Sequence, residues 1–218
     1  MNLSEILNVY RRATGDKAAP YLVDDEDAII FLNQAENEAA RRARLLVDSS
    51  SDIAIYPVVS GEPLVEISSK VISIRRARIA ASSGPLKKRL VREMDEIAPG
   101  WDSSTNTSRP SSVVVDYQTN AVRLYPTPNE DGELCMTVTR EPANGLEADD
   151  DVPEIPARYH HSLVEWMKFR TFSDEDSDMY DQRRADTALA RFEEEFGPGI
   201  GAKNERFEFE HYDDVGEW

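Results

Sequence analysis

The 218-residue sequence lacks the features that are typical of exported or membrane-spanning proteins. Cys135 is the single cysteine, so no disulfide can form within the chain, which fits a reducing cytosol. No apolar run approaches the ~20 residues that a membrane-spanning helix needs. The first residues, MNLSEILNVYRR, lack the basic-then-apolar order of a secretory signal peptide. The sequence therefore predicts a protein that is neither exported nor membrane-bound.

Basic residues are scarce relative to acidic ones. Only 25 Lys and Arg residues stand against 42 Asp and Glu residues, which gives a formal net charge of −17. Residues 142–218 hold 21 of the acids and 8 of the bases, so −13 of this charge lies in the last third of the chain. Because affinity for phosphates depends on Lys and Arg, most of the surface is not expected to bind nucleic acid. An acidic surface is also ordinary among soluble proteins.

Recognisable catalytic motifs are missing as well. The sequence has no P-loop, no G-x-G-x-x-G signature, no zinc-ribbon spacing and no G-x-S-x-G nucleophile elbow. Cys135 lies within a predicted strand, where it is better explained as a small core or face residue than as a nucleophile. We therefore predict that the protein is not an enzyme and needs no cofactor.

A pair of residues spaced as zinc ligands lacks the rest of a site. His161 and Glu165 are one helical turn apart, a spacing that can begin a metal site. Zinc usually needs three or four protein ligands, and besides the adjacent His160 the only other histidine is His211. We therefore predict no metal here and interpret the histidines as surface or interface residues.

Three alternating acids resemble the beginning of a calcium loop. Asp174, Asp176 and Asp178 have the required spacing. The sixth position is Met179 instead of glycine, and the twelfth is Ala185 instead of glutamate. A solvated elbow with an N-cap, between two helices, is the better interpretation.

Helical periodicity is present at both ends of the chain. Apolar residues recur at helical spacing in four segments, which predicts helices over about 3–14, 25–47, 156–172 and 178–196. Asp24 and Asp25 are suited to cap the second of these helices. Its predicted buried face is rich in alanine and lets a neighbouring helix come close: Ala28, Leu32, Ala35, Ala39, Ala43 and Leu46. Because no helix buries its apolar face alone, we predict an antiparallel helical bundle of residues 1–51 and 142–197.

From residue 52 to 141 the period changes to two. Segments such as IAIYPVV, KVISIRRARIA and SVVVDY are rich in β-branched residues and predict strands. Turn signals at 118–120 and 129–132, the latter with an Asp-Gly pair, favour hairpins. LKKRLVREM indicates a strand that leads into a short helix ending near Pro99. The sequence thus predicts an α+β protein, with a small antiparallel β domain inserted into the helical bundle.

The chain is locally basic between Lys70 and Arg92, where eight Lys or Arg residues occur without an acid. We expect a basic hairpin that meets an acidic surface on another copy or on a partner, because charge complementarity fixes register. Six residues are assigned to this contact: Arg75, Arg76, Arg78, Lys87, Lys88 and Arg89. Two alternatives stay open, namely a solvated sheet edge blunted by its cations and a contact with DNA phosphates.

Residues 198–218 are predicted to form an extended C-terminal arm. Its segment RFEFEHY, residues 206–212, alternates as a strand does and follows a glycine-rich hinge. Free in solution, the arm would leave aromatic residues exposed, so we expect it to bind a partner, for example as an added strand. The residues concerned are Phe207, Phe209, Tyr212 and Trp218. The alternative is that the arm folds back on its own domain.

A longer pattern carries a family resemblance. The segments IP..YHHSLVEWM and DMYDQRRADTALARFEEEFG resemble the C-terminal half of the head–tail adaptor proteins of tailed bacteriophages. DDEDAIIFLNQAENEAARRARLL is similar to the first long helix of that family, and Pro99-Gly100-Trp101 fits its β insert. The resemblance covers nearly the whole chain.

The resemblance implies a helical bundle with a β insertion and a structural virion protein. It implies a ring of twelve copies below the portal that connects head to tail, continues the DNA channel and serves DNA ejection. The expected partners are the portal protein, the tail or further neck proteins, and other copies of this chain, with DNA only passing through. The location implied is the virion neck, after assembly in the host cytoplasm.

The resemblance also implies roles for the two groups of residues named above. Family members use a C-terminal arm to reach the portal, which assigns Phe207, Phe209, Tyr212 and Trp218 to that contact. The six basic residues are then expected to contact a neighbouring subunit or the tail. Two other functions stay open: an acidic host-interaction or DNA-mimic inhibitor, and another neck or tail-completion protein.

Overall fold

The structure is a computed structural model that describes residues 1–80 and 84–201. This part of the chain contains five α-helices: α1 (Leu3–Thr14), α2 (Asp25–Ala43), α3 (Val91–Ile97), α4 (Leu163–Ser173) and α5 (Gln182–Phe196). Short 3-10 helices lie at Trp101–Ser103 and Ala157–Tyr159.

The same part of the chain contains eight strands: β1 (Val47–Asp48), β2 (Ile55–Val58), β3 (Leu64–Glu66), β4 (Val71–Ile79), β5 (Lys87–Arg89), β6 (Ser112–Gln118), β7 (Ala121–Tyr125) and β8 (Gly132–Arg140). The predicted α+β class is therefore confirmed. The described chain divides into a helical unit, Met1–Leu46 with Glu141–Ile200, and a β unit, Val47–Arg140.

Local sequence signals fix where the first two helices begin. Asn2 accepts a hydrogen bond from the Glu5 amide, and the Glu5 carboxylate accepts one from the Asn2 amide, which closes a capping box on α1. α1 ends at Gly15, whose φ of 91° suits glycine. The predicted cap of α2 is confirmed, because the Asp24 carboxylate accepts a hydrogen bond of 2.8 Å from the Asp27 amide.

α2 is shorter than predicted and ends at Ala43 instead of near Val47. Arg44 adopts a left-handed conformation with a φ of 50°, and its amide donates to the Ala40 carbonyl, which closes the helix. Leu46 still packs in the helical core. Val47 then begins strand β1, because it pairs with Thr139 of β8.

The helical unit is built around the alanine-rich face of α2. Four residues predicted for this face are fully buried: Ala28, Leu32, Ala35 and Ala39. α2 packs against α4, and α4 packs against both α5 and α1, so the four helices share one core. Arg42 extends this contact, because its guanidinium lies 5.2 Å from the ring centre of Trp166 and 5.4 Å from that of Phe192.

The predicted helix over 156–172 begins later, at Leu163, because the preceding loop is held by side chains. The Ile155 amide donates to the Glu36 carboxylate at 3.3 Å, and the Ile155 carbonyl accepts a hydrogen bond of 2.9 Å from His160 Nε2. Glu36 and His160 are each 1% exposed. His160 therefore serves as a structural hydrogen-bonding group.

Burial raises the pKa of Glu36 to about 7, although hydrogen bonds from the Glu154 and Ile155 amides lower it in part. The folded state thus holds this proton more tightly than the unfolded state. The resulting stabilisation is complete below the ordinary pKa of 4.5 and is lost as the pH rises through 7.

Replacing Glu36 by glutamine removes this titration and keeps a hydrogen-bond acceptor. We expect the stability of Glu36→Gln relative to the wild type to increase by about 2–3 kcal/mol between pH 5 and pH 8. Urea unfolding followed by circular dichroism measures it at both pH values. The exposed Glu26 of the same helix provides the control, because Glu26→Gln should show no such change. A pH-independent difference for Glu36→Gln would contradict the prediction.

The connection between α4 and α5 is a capped elbow, as predicted. The Asp174 carboxylate accepts a hydrogen bond from the Asp176 amide, and the Asp181 carboxylate accepts one from the Arg184 amide. Because Asp181 is the cap, α5 begins at Gln182, four residues later than predicted.

The β unit consists of two four-stranded sheets whose inner faces share one core. In the first sheet β8 is central and pairs with β4 along one edge and with β2 and β1 along the other. The second sheet has the order β3-β7-β6-β5. The predicted antiparallel domain is wrong in one pair, because β5 and β6 run parallel.

One predicted turn closes a hairpin and another does not. β6 and β7 pair through the turn at 119–120, where Asn120 has a left-handed φ of 54°. The Asp131-Gly132 pair lies at the start of β8, but β7 and β8 belong to different sheets, so the hairpin predicted there is wrong. The Asp-Gly signal marks a crossing between sheets instead.

The parallel pair requires a crossover, and α3 supplies it between β5 and β6. LKKRLVREM forms a strand and then a helix, as predicted. Met94 of α3 and Trp101 pack on Val114 of β6 in a satellite core. Trp101 Nε1 donates to Asp95 at 3.0 Å, so α3 and the segment after it are joined.

Candidate functional site

β4 carries three of the six basic residues predicted as contacts, and a bulge decides where they point. Ile74 and Ala77 both face the core of the β unit. Two residues, Arg75 and Arg76, separate them, where a regular strand has only one. If this sequence alternated regularly, with no bulge, Arg76 would share the inner face with Ile74, because side chains alternate along a strand. The bulge keeps Arg76 and Arg78 on the outer face.

The arginines of β4 differ in how firmly they are held. Arg75 Nε donates to Thr139 Oγ1 at 2.9 Å, and Arg78 Nη1 donates to the Ala80 carbonyl at 3.1 Å. Arg76 is exposed. A partner at this strand would therefore meet two positioned guanidinium groups and one extended into solvent.

The other three basic residues form the short strand β5. Lys87 is exposed, whereas Lys88 and Arg89 are half-buried. Arg89 Nη1 lies 3.8 Å from the Glu93 carboxylate of α3. The crossover helix thus helps to hold the end of this strand.

The predicted basic hairpin is wrong, because β4 pairs with β8 and β5 pairs with β6 in the other sheet. The two strands nevertheless meet, since the Leu86 amide donates to the Ala77 carbonyl at 2.8 Å. Beside this contact lies a cavity of about 490 Å³, which we call the basic cleft. Its lining consists of Ile74, Arg75, Arg76, Ala77, Pro85, Leu86, Lys87, Lys88, Arg89 and Val113.

The basic cleft combines cationic and apolar side chains. Five of the six predicted basic residues line it, and Arg78 does not. Four apolar lining residues belong to the buried core: Ile74, Ala77, Leu86 and Val113. The structure therefore gathers residues that the sequence placed on one hairpin, but it does so at the boundary of two sheets.

Both strands that border the basic cleft are edge strands. Among the described residues, β4 forms a ladder with β8 and β5 forms one with β6, and the hydrogen bond from Leu86 to Ala77 joins the two segments at the cleft. An edge strand presents backbone amides and carbonyls to an incoming strand, and lysine and arginine at such an edge discourage unselective pairing. The cationic lining is suited to an acidic surface.

The remaining predicted site residues are not brought into the basic cleft. The arm residues Phe207, Phe209, Tyr212 and Trp218 lie outside the described part of the chain. Cys135 is half-buried and pairs with Arg78 on the outer face of the first sheet. His161 is exposed. Within residues 1–80 and 84–201, no group of three or more His, Cys, Asp or Glu side chains is placed to hold a metal ion.

Sequence reasoning missed a buried ion cluster in the helical unit. Arg11 Nη1 lies 2.9 Å from Asp16 Oδ2, and Arg11 Nη2 lies 2.7 Å from Asp25 Oδ1. The guanidinium also lies 4.0 Å from the ring centre of Tyr21. The position of Arg11 could have indicated its burial, because Arg11 comes four residues after Leu7 and so falls on the apolar face of α1.

Across the part of the chain that the structure describes, no helix is both long and apolar enough to traverse a bilayer.

Comparison with known protein families matches residues 1–207 to the family described as SU10 adaptor protein. The match therefore spans the helical unit and the β unit and extends into the predicted arm. A search of curated proteins finds no match.

Proposed function

The chain belongs to the SU10 adaptor protein family, a family of phage head–tail adaptors, and from this we propose that it forms the adaptor ring below the portal. The predicted family is confirmed, and with it a structural role in a tailed phage. The observation that carries the proposal is the match over residues 1–207, which includes both folded units.

The proposed ring contains twelve copies joined head to tail. In such a heterologous contact each subunit offers one surface to the neighbour before it and a different surface to the neighbour after it. The basic cleft supports this, because it is a cationic surface on a chain of net charge −17. In this proposal the four packed helices act as an antiparallel bundle that keeps the subunit rigid.

The proposed ring continues the DNA channel from head to tail. The acidic character of the chain supports a passive channel, because carboxylates repel phosphates and bind few of them. DNA would then pass through during ejection without being held. The tail or further neck proteins are the proposed partners on the far side of the ring.

We assign contact with the portal to the C-terminal arm. The sequence of the arm contains four aromatic residues in this assignment, and aromatic residues are common anchors at protein interfaces. Truncation after Gly201 is therefore expected to leave the two folded units intact and to abolish docking on the portal.

Electron microscopy of the full-length protein mixed with purified portal rings tests the proposed function. We expect twelvefold rings attached to one end of the portal, and the chain truncated after Gly201 should form none. Circular dichroism shows whether the truncated chain is folded. A full-length protein that stays monomeric with its own portal would overturn the proposal. Salt-sensitive binding to a basic host protein instead would favour an acidic inhibitor.

A further inference from the structure

Arg123 of β7 is a buried arginine to which the described part of the chain offers no acidic partner. It is only 8% exposed, and no Asp or Glu of residues 1–80 and 84–201 forms an ion pair with it. Arg11, which is buried to a similar extent, contacts two carboxylates. Because a buried charge without a counter-charge costs free energy, Arg123 is suited to an acid that a partner supplies.

Two aromatic rings and one carbonyl fix the guanidinium of Arg123. Its central carbon lies 4.8 Å from the ring centre of Tyr117 and 5.2 Å from that of Trp101, contacts that favour a cation. Nη2 donates to the Asp102 carbonyl at 2.6 Å, and the other N–H groups of the guanidinium donate to no acceptor among the described residues. The guanidinium is therefore held in position and still has donors for a carboxylate.

Apolar surface is exposed beside Arg123 on the outer face of the second sheet. Leu64 of β3 lies directly opposite Arg123, so the two side chains share a face, and Leu64 is 40% exposed. Tyr117, whose ring contacts Arg123, is 37% exposed. We call Leu64, Tyr117 and Arg123 the arginine patch. Tyrosine and arginine are enriched among the residues that dominate binding at protein interfaces.

We propose that the arginine patch binds residues 149–152 of the helical unit of a second copy of this chain. In this contact a carboxylate of Asp149 or Asp150 pairs with Arg123, and Val152 packs on the exposed side chains of the patch. The ion pair supplies the counter-charge that Arg123 lacks, and the apolar contact excludes water from it.

The charges of the two units favour contact between unlike units of different copies. The helical unit, residues 1–46 and 141–200, holds 24 acids and 12 bases, whereas the β unit, residues 47–140, holds 12 acids and 11 bases. Two helical units therefore repel each other, and a nearly neutral β unit with a cationic patch does not oppose their approach. Such a contact uses a different surface on each copy, as a closed head-to-tail ring requires.

The acidic loop at 149–152 has the composition that the arginine patch needs. Asp149 and Asp150 are exposed, and Val152 is 56% exposed. The Asp151 carboxylate already accepts hydrogen bonds from the amides of residues 147 and 148. Asp149 and Asp150 are therefore the acids of this loop that are available to pair with Arg123.

Backbone hydrogen bonds hold this loop on the helical unit. The Leu3 amide donates to the Asp151 carbonyl at 2.8 Å, and the Ser4 amide donates to the Asp149 carbonyl at 3.1 Å. A loop that is already ordered loses little conformational entropy when it binds. The proposed contact thus joins two surfaces that are both shaped before assembly.

This inference rests on the proposed ring, and photocrosslinking tests it. A copy carrying p-benzoylphenylalanine in place of Leu64 is mixed with ¹⁵N-labelled wild type, on portal rings and as concentrated free protein. We expect crosslinks to a ¹⁵N peptide that contains residues 149–152. Glu133 provides the matched control position, because it is exposed on the first sheet, and the same group there should not capture this peptide.

Removing the charge of Arg123 separates binding from stability. In Arg123→Met no described acid loses a partner, so we expect an unchanged midpoint of urea unfolding. Association of the subunits, measured by sedimentation velocity, should weaken at least about tenfold. Arg92→Met, an equal loss of charge at an exposed position of the β unit, should change neither quantity.

A double-mutant cycle tests the pairing itself. Asp149→Asn with Asp150→Asn is expected to weaken association about as much as Arg123→Met does. Combining these changes should weaken it by no more than about threefold beyond the larger single effect, because each change removes the same ion pair. Glu194→Gln with Glu195→Gln, an equal change at exposed positions of α5, should have no effect.

Several results would overturn the proposal. One is a crosslink from position 64 that reaches only the portal, the arm or the same copy. Another is a cycle in which the two losses simply add. A third is an Arg123→Met variant that loses stability and association together, since that shows a structural role. If the protein does not assemble on the portal, the proposed function fails, and the crosslink in concentrated protein still decides for or against the contact.

Discussion

Replacing Arg11 by methionine is expected to lower the free energy of unfolding of the helical unit by about 3–5 kcal/mol. The side chains of Arg11 and Asp16 are 8% and 4% exposed, so this ion pair is almost completely removed from water. Methionine fills much of the same volume but provides no charge. The Asp16 carboxylate is then left buried without its cation, and that is the source of the cost.

Asp16 cannot avoid this cost by turning towards solvent. Its carboxylate accepts hydrogen bonds from the amides of Leu22 and Val23 and so fixes the connection between α1 and α2. Arg11 also donates to the Val23 carbonyl at 2.6 Å. Loss of Arg11 therefore loosens the connection as well as the ion pair.

Urea unfolding followed by circular dichroism provides the measurement. Arg12→Met is the matched control, because Arg12 is exposed, and it should change the stability by less than about 0.5 kcal/mol. The stability of Arg11→Lys should lie between that of the wild type and that of Arg11→Met. Lysine keeps the charge but loses the planar guanidinium that contacts two carboxylates. The double variant Arg11→Met/Asp16→Asn should lose less than Arg11→Met alone. Equal losses in these two variants would refute the role of the buried charge.

Deleting Arg75 and deleting Ala77, two positions apart in β4, are expected to have opposite effects on the folding of the β unit. Deleting Arg75 should leave the β unit folded, with a loss of about 1–2 kcal/mol from its hydrogen bond to Thr139 and from local repacking. Deleting Ala77 should unfold the β unit. The reason is the bulge. Between Ile74 and Ala77 the strand has one residue more than a regularly alternating strand would have.

After deletion of Arg75 the strand alternates regularly, with Ile74, Ala77 and Ile79 on the inner face. Deletion of Ala77 leaves no such solution. Either Arg76 or Arg78 must enter the core shared by the two sheets, and burying an unpaired charge costs several kcal/mol. The two deletions change chain length equally, so each is the control for the other.

Hydrogen exchange over residues 132–140 measures the outcome, because β8 pairs with β4 along nearly all of its length. Protection should persist after deletion of Arg75 and disappear after deletion of Ala77. Deleting Arg76 produces the same chain as deleting Arg75, so the result does not depend on which arginine is considered extra. Loss of protection in both variants would show that the bulge itself is needed for the fold.

The kinds of element were predictable from the sequence because each depends on local pattern. Helical spacing located α1, α2 and α5, and β-branched alternation located the strands. Helix ends were less predictable, because Arg44 ends α2 in a left-handed conformation that ordinarily indicates glycine. Glu36 and His160 hold the loop before α4 through long-range hydrogen bonds that no local pattern indicates.

Apart from the β6–β7 hairpin, strand pairing was not predictable, since it depends on contacts between distant segments. The Asp131-Gly132 signal was interpreted as a hairpin, and β5 was assigned to the same hairpin as β4. Both strands instead pair with more distant partners. Five of the six basic residues still line one cleft and Arg78 does not, while their role as contacts stays a prediction. What the sequence did not reveal was that the cleft lies where strands of two different sheets meet.

The three tryptophans of this chain lie in its three different parts. Trp166 packs against Phe192 in the helical unit, Trp101 is buried in the satellite core of the β unit, and Trp218 belongs to the arm. Replacing any two of them by phenylalanine leaves a single indole whose fluorescence reports on one part alone. The order in which the two units and the arm respond during assembly can therefore be read with no external label.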